Sequence, residues 1–131
     1  MPATIRIAAA ALTNRQGQVL LVRKRGTTAF MQPGGKIDVG ETPDVALVRE
    51  LDEELGLKLP PSALRYVGAF QTRAANEPDA NVHAELFAAS VDSPVAPGAE
   101  IVELLWYPDQ DRREAELAPL TRCRVLPAMG F

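Results

Sequence analysis

The sequence predicts an α/β fold in which helices cover the faces of a sheet. Apolar strand-like runs lie on both sides of one well-bounded helix, a second helical stretch lies near the C-terminus, and no repeat or low-complexity linker divides the chain. A length of 131 residues fits one domain over 1–131, and an apolar content of 47% is enough for a real core.

Residues 3–12 and 18–25 are apolar and flank Asn14-Arg15-Gln16-Gly17, which reads as a β-hairpin with a slightly long turn. The opening MPATIRIAAAALTN resembles a secretory leader only faintly. Its apolar run is short, contains Arg6 and lacks a basic start, so it reads as a strand. Residues 26–42 hold Gly26, Pro33, Gly34, Gly35 and Gly40 and read as a loop with short strand pieces. Residues 43–55 form the clearest helix. Thr42 is placed as N-cap, Pro43 suits the first helical position, Asp44 favours the positive end of the dipole, and Gly56 is the expected stop. Leu47, Leu51 and Leu55, with Val48 beside them, give this helix one apolar stripe. Pro60-Pro61 breaks the chain. Strand-like runs follow at 64–73 and 82–91, joined by the polar turn Ala75-Asn76-Glu77-Pro78-Asp79, and a third run, 101–107, ends in Trp106-Tyr107. The stretch 110–126 reads as helical in parts, with Pro119 starting a second piece.

Composition excludes several classes. A net charge of −3 provides no whole-molecule field for nucleic acid, and the basic cluster Arg23-Lys24-Arg25 reads as a solvated strand end. The lone Cys123 forms no internal disulfide, which fits a reducing, cytoplasmic setting. One His and one Cys cannot build a zinc site. No apolar stretch reaches the roughly 18 residues needed to span a bilayer, so no membrane partner is expected.

The central helix breaks two local rules. It carries Asp44, Glu50, Asp52, Glu53 and Glu54 against the single cation Arg49. At about 100° per residue, Glu53 and Glu54 fall roughly 60° and 40° to either side of Glu50, so three carboxylates share one face. Like charges at these spacings destabilise by about 0.2–0.5 kcal/mol per pair. The acids also crowd the negative end of the dipole, where cations are preferred. One reading is a solvated acidic face. The other is a site whose divalent cation repairs both faults, and all-oxygen ligands select a hard ion, Mg²⁺ or Mn²⁺.

Ahead of the helix stands Pro33-Gly34-Gly35-Lys36. Two glycines let backbone pass close to a ligand, although an ordinary turn has the same composition. A Walker P-loop is excluded, because Ile37 follows Lys36 and the spaced upstream glycine is missing.

Together, loop and helix read Gly35, five residues, Glu41, seven residues, then Arg49-Glu50-Leu51-Asp52-Glu53-Glu54-Leu55-Gly56-Leu57. This stretch resembles the complete Nudix signature, and Phe30-Met31-Gln32-Pro33-Gly34-Gly35-Lys36 resembles its entry in small MutT-like members. The resemblance implies an α/β/α sandwich around a mixed sheet. It implies a hydrolase that cuts the diphosphate linkage of a nucleoside diphosphate derivative with Mg²⁺, or Mn²⁺ in its place. Glu50, Glu53 and Glu54 would hold the metal, and the carbonyl of Gly34 or Gly35 would add an oxygen. Arg49 would orient a carboxylate, the alternative being a surface ion pair worth little. Glu41 would brace the loop on the helix, with a metal contact through water as its other role. The base that takes a proton from the attacking water would be Glu50 or Glu100, which precedes the strand ending in Trp106. Glu103 reads instead as the solvent face of that strand. Arg23 and Lys36 would contact phosphate, the alternative for Arg23 being an exposed strand residue. His83, in an alternating run, is given no role.

The family's substrate markers lie outside the signature. The proline of many ADP-ribose hydrolases would fall near Thr72 and is absent, as are the downstream tyrosine of dinucleoside polyphosphate hydrolases and the tail motif of NADH pyrophosphatases. The short chain tilts toward a nucleoside triphosphate cut to monophosphate and pyrophosphate. Leu117-Ala118-Pro119-Leu120 stands where MutT reads an oxidised purine with an asparagine, which argues against that specificity. Phe30, Phe70, Phe87 and Trp106 are available for base stacking or for the core. The competing readings are a hydrolase of nucleotide sugars or other conjugates, and a non-enzymatic nucleotide-binding module. The partner is a nucleotide, not a nucleic acid. Many relatives are homodimers, and no segment here marks an interface.

Overall fold

A computed structural model describes residues 3–73, 79–112 and 115–131, with Arg112 described by its backbone alone. Six strands form one mixed sheet: β1 (Ala3–Thr13), β2 (Val19–Lys24), β3 (Gly34–Lys36), β4 (Arg65–Arg73), β5 (Ala80–Ser90) and β6 (Ile101–Tyr107). The order is β4-β5-β1-β2-β6, with β3 also paired to β1. β1 and β5 run parallel over their whole length, and the other pairings are antiparallel. Helix α1 (Pro43–Leu55) covers one face. A C-terminal helical run over 119–128, π-wound at Thr121–Val125 and α-helical at Leu126–Ala128 (α2), covers the other. This is the expected α/β/α sandwich. The Ala75–Asp79 turn expected between β4 and β5 falls, apart from Asp79, outside the described residues.

Alternation along the buried centre of β1 builds both halves of the core. Ala8, Ala10 and Leu12 face α1, where they meet Leu47, Leu51 and Leu55; Ala9 and Ala11 face the C-terminal run. Small side chains in the central strand let a helix approach from each side. Each fully buried leucine of α1 contributes about 1.5–3 kcal/mol relative to exposure.

Two sequence-based expectations need correction. The hairpin of β1 and β2 is real only near its turn, where Thr13 pairs with Val19 and Asn14 Oδ1 accepts from the backbone N–H groups of Gln16 and Gln18. Farther along, β3 takes the β1 edge at Ile7, Ala8 and Ala9, while β2 pairs with β6. Glycine makes this possible: at Gly34, with φ of 137°, a Cβ would sit 2.1 Å from the Ala8 carbonyl oxygen. Thr42 is extended, as an N-cap should be, but its hydroxyl donates to Asp44 Oδ1 at 2.5 Å and caps no helix N–H. Asp44 Oδ1 itself accepts from the Val45 N–H at 3.0 Å. Gly56 ends the helix as expected, with φ of 63°.

Among the described residues no helix is long and apolar enough to cross a membrane. Phe30 and Phe87 are buried, and Trp106 and Phe70 pack partly buried against core clusters, so all four serve the core.

Candidate active site

The site forms where the glycine bend of β3 meets the last two turns of α1. Gly34 donates its N–H to Glu54 Oε1 at 2.9 Å, tying strand to helix through a carboxylate that is 3% exposed. One turn earlier, the Glu50 carboxylate fills the space above Gly35. A Cβ there would lie 2.5 Å from its carboxyl carbon and 2.7 Å from both oxygens. The two glycines therefore serve different ends. Gly34 lets strand approach strand, and Gly35 lets an acid lie on the bend.

Arg49 organises the outer side. Its Nε and Nη2 grip the two oxygens of Glu41 at 2.9 and 2.8 Å, Nη1 donates to Glu50 Oε1 at 2.9 Å, and Nη2 donates to the Lys36 carbonyl at 3.2 Å. Glu41 also accepts the Asp38 N–H at 2.9 Å. The Arg49 guanidinium, helped by that backbone donor, holds the Glu41 carboxyl down to about 2. Arg49 is thus a multi-armed brace between loop and helix rather than a simple surface pair, and Glu41 is its anchor.

The third signature acid behaves differently. Glu53 is 53% exposed, and Arg49 Nη1 lies 3.6 Å from its Oε2. Two of the three acids that the helical wheel groups together turn to the bend, and the third stands on the rim. As placed, no three acidic, histidine or cysteine side chains among the described residues form a ready cation cage.

Glu100 arrives from the loop before β6. Its backbone carbonyl accepts from the Arg25 N–H at 2.8 Å, and its Oε1 lies 3.3 Å from Lys24 Nζ. The loop is clamped to the end of α1: Gly98 N–H donates to the Glu54 carbonyl at 2.8 Å and Ala96 N–H to the Leu55 carbonyl at 3.2 Å. These bonds satisfy carbonyls that the helix end leaves open. A Cβ on Gly98 would lie 2.7 Å from the Glu53 carbonyl oxygen, and Ala99 adopts φ of 50°, so the chain is bent tightly just before Glu100.

Electrostatics couple these groups. Burial pushes the Glu54 carboxyl up to about 7. The Gly34 N–H and Lys24 pull it back, while the charges of Glu50 and Glu100 push it further. A cradle that a Cβ would fill, a desolvated carboxylate and an all-oxygen donor set fit a hard divalent cation near Glu50, Glu54 and the bend.

The remaining candidates separate. Arg23 spends its fork on Glu103, at 2.7 Å from Nε and 2.6 Å from Nη2, and donates from Nη1 to the Thr27 carbonyl at 2.7 Å. Glu103 is therefore the ion-pair partner of Arg23, not a bare solvent-facing residue. Lys36 is exposed on the bend. His83 lies on β5 with Nε2 3.1 Å from Glu85 Oε1, an ordinary strand pair. Sequence reasoning missed Lys24. Between two basic neighbours it looks like part of a strand end, yet it lines a cleft of about 200 Å³ that also includes Gln32, Gly34, Gly35, Lys36 and Arg73.

A sandwich with an acidic helix braced on a double-glycine bend defines the class of domain. The family model for the NUDIX domain matches residues 3–122, and the chain belongs to that family. It is 46% identical over 57 residues to the 8-oxo-dGTP diphosphatase of Haemophilus influenzae, covering 40% of this chain and 42% of the relative. It is 51% identical over 47 residues to the RNA pyrophosphohydrolase of Tolumonas auensis, covering 36% and 27%. The matches thus span less than half the length of these curated relatives. A crystal structure of a MutT NUDIX hydrolase from Burkholderia pseudomallei superposes with a TM-score of 0.77 at 23% identity, over 96% of this chain and 95% of that one, and shares the fold.

Proposed function

We propose that this chain is a hydrolase of the diphosphate linkage in a nucleoside diphosphate derivative. The preferred substrate is a nucleoside triphosphate, cut to a monophosphate and pyrophosphate. The supporting observation is the Glu54 carboxylate buried on the glycine bend, with Glu50 and Glu100 adding like charge around it. A fold gains nothing from that arrangement alone. The relatives' names agree on pyrophosphate or diphosphate cleavage and differ in substrate.

Glu50, Glu53 and Glu54, with the carbonyl of Gly34 or Gly35, would hold Mg²⁺ or Mn²⁺, which would supply charge neutralisation on the diphosphate and water activation. The chain's own groups do the rest. Lys24 and Lys36 meet phosphate oxygens at the mouth of the cleft. Arg49 fixes Glu50 and, through Glu41, the loop that carries the bend. Glu100 or Glu50 takes the proton of the attacking water.

A hollow of about 470 Å³ adjoins the cleft and is bounded by Thr27, Thr28 and Arg122. Its room favours, as the second reading, a conjugate in which another group replaces the terminal phosphate. The test is a panel of nucleoside triphosphates and nucleoside diphosphate conjugates, with and without Mg²⁺, on wild type and Glu54→Gln. Pyrophosphate release from a triphosphate supports the first reading, and two monophosphate products from a conjugate support the second. Turnover that persists in EDTA, or a variant as fast as wild type, contradicts both. Tight nucleotide binding without turnover would leave a binding module.

A further inference from the structure

The cleft is chemically mixed. Lys24 at the end of β2, Lys36 on the bend and Thr72 and Arg73 on β4 give it polar lining, whereas Ile7, Met31, Val82, Pro119 and Leu120 give it apolar lining. Beside Met31, Pro119 and Leu120 stands a polar side chain that is almost wholly buried, Gln32. It is 7% exposed, and Thr121 beside it is fully buried.

The two residues are tied in both directions. Thr121 Oγ1 donates to Gln32 Oε1 at 2.6 Å, and the Gln32 backbone N–H donates to Thr121 Oγ1 at 3.2 Å. The shorter distance lies in the O–H···O range and below the usual N–H···O separation, which places the amide oxygen toward Thr121. The amide nitrogen makes no hydrogen bond among the described residues. Every buried side-chain nitrogen or oxygen there has a partner. Nε2 is therefore not sealed in, and Gln32 is one of the residues that line the cleft.

Packing alone does not call for this pair. A leucine would fill the position without a polar group to satisfy. What the pair provides is a donor held in one orientation before any ligand arrives. Its holder, Thr121, opens a π-wound segment, a form concentrated at functional sites.

We propose that Gln32, oriented by Thr121, selects the base of the substrate. Its Nε2 donates to a keto oxygen, such as guanine O6 or uracil O4, and disfavours adenine and cytosine. This rests on the nucleotide reading above. With Oε1 turned to Thr121, Gln32 presents its Nε2 donors to a ligand. The exocyclic amino group of adenine or cytosine would face a donor and remain unpaired, a mismatch worth about tenfold to a hundredfold in affinity.

The test measures dissociation constants for GMP, UMP, AMP and CMP, and kcat/KM for the four triphosphates. The proteins are wild type, Gln32→Leu, Gln32→Glu, Thr121→Val and Thr121→Ser. Wild type should bind the keto monophosphates about 10–100-fold more tightly. Gln32→Leu should erase the preference, and Gln32→Glu should turn it toward the amino bases. Thr121→Val should narrow it by freeing the amide, and Thr121→Ser should keep it. No keto preference in wild type, no monophosphate binding, or an unchanged preference in Gln32→Leu overturns the proposal. If Gln32→Leu fails to fold, the reversal in Gln32→Glu decides. A keto preference in binding, lost in the Gln32 variants but without turnover of any triphosphate, would sink the hydrolase reading and leave this one standing.

Discussion

The acidic cluster and the Gln32 pair are built in different ways. In the acidic cluster the signature parts are neighbours in sequence: Gly34, Gly35, Glu41, Arg49, Glu50 and Glu54 lie within one loop and one helix, Gly34 N–H reaches Glu54 across 20 residues, and Glu100 joins them from the loop before β6. In the other, the polar contact joins Gln32 to Thr121 across 89 residues. A contiguous segment can carry the same chemistry into many chains, whereas recognition assembled from distant segments changes with each chain. Relatives that share a diphosphate-cleaving name while differing in substrate fit this division.

The acidic cluster offers the largest effects. Glu50→Gln and Glu100→Gln divide the role of base between them. The variant that removes the base should lower kcat by about 10²–10⁴-fold and lose the acid limb of the pH–rate profile. The other should keep that limb. Two variants that both retain wild-type rates would remove the general-base step from the mechanism.

Arg49→Lys should come next. A lysine keeps the charge but cannot hold both oxygens of Glu41 while also reaching Glu50 and the Lys36 carbonyl. Supporting contacts of this kind are worth about 10–100-fold in metal affinity or activity. Titration of Mn²⁺ into the variant measures the loss directly, and an unchanged affinity would reduce Arg49 to a surface ion pair.

Gly98→Ala is expected to have the smallest effect of the three. Its new Cβ meets a helix carbonyl oxygen that cannot easily yield, so the loop must shift and carry Glu100 with it. A stability loss of about 1–3 kcal/mol by denaturant unfolding is expected. If Glu100 is the base, kcat should fall as well. Full activity alongside the stability loss would separate the loop clamp from the chemistry.

Where the signal was local, the sequence was legible. Helix 43–55 appears with its expected bounds because proline, glycine and the leucine spacing all act within the helix. The signature implied glutamates beside the glycines, an Arg49 paired with a carboxylate and a Glu41 that braces the loop; that Arg49 and Glu41 grip each other comes from the structure. Other features depended on distant partners. The β1–β2 hairpin is shorter than its apolar runs suggest, because the claim of β3 on the same edge rests on a close approach to Ala8 that no periodicity reveals. Helical angles placed Glu53 with its neighbours, but angle alone does not say that Gly34 and Gly35 receive only two of the three acids. Lys24 was hidden among basic neighbours, and Gln32 had no signal without Thr121, which the C-terminal run brings to it.

The central claim is that the buried Glu54 carboxylate, with Glu50 and Glu100 adding like charge, lacks compensation until a divalent ion joins it, and thermal stability against pH tests it most directly. Below the ordinary glutamate value of 4.5, Glu54 is protonated in the folded and unfolded chains alike. As pH rises, the unfolded chain ionises first, so metal-free stability should fall until the folded group titrates near 7. The full loss is about 3 kcal/mol. Glu41, with its pKa held down to about 2, acts in the opposite sense and in a more acidic window. Tm in EDTA should therefore drop between pH 5 and 8, and Mg²⁺ should restore it at pH 8. Glu54→Gln should flatten the drop and remove the response to Mg²⁺. A wild-type Tm that is level across that range and indifferent to Mg²⁺ would contradict the claim.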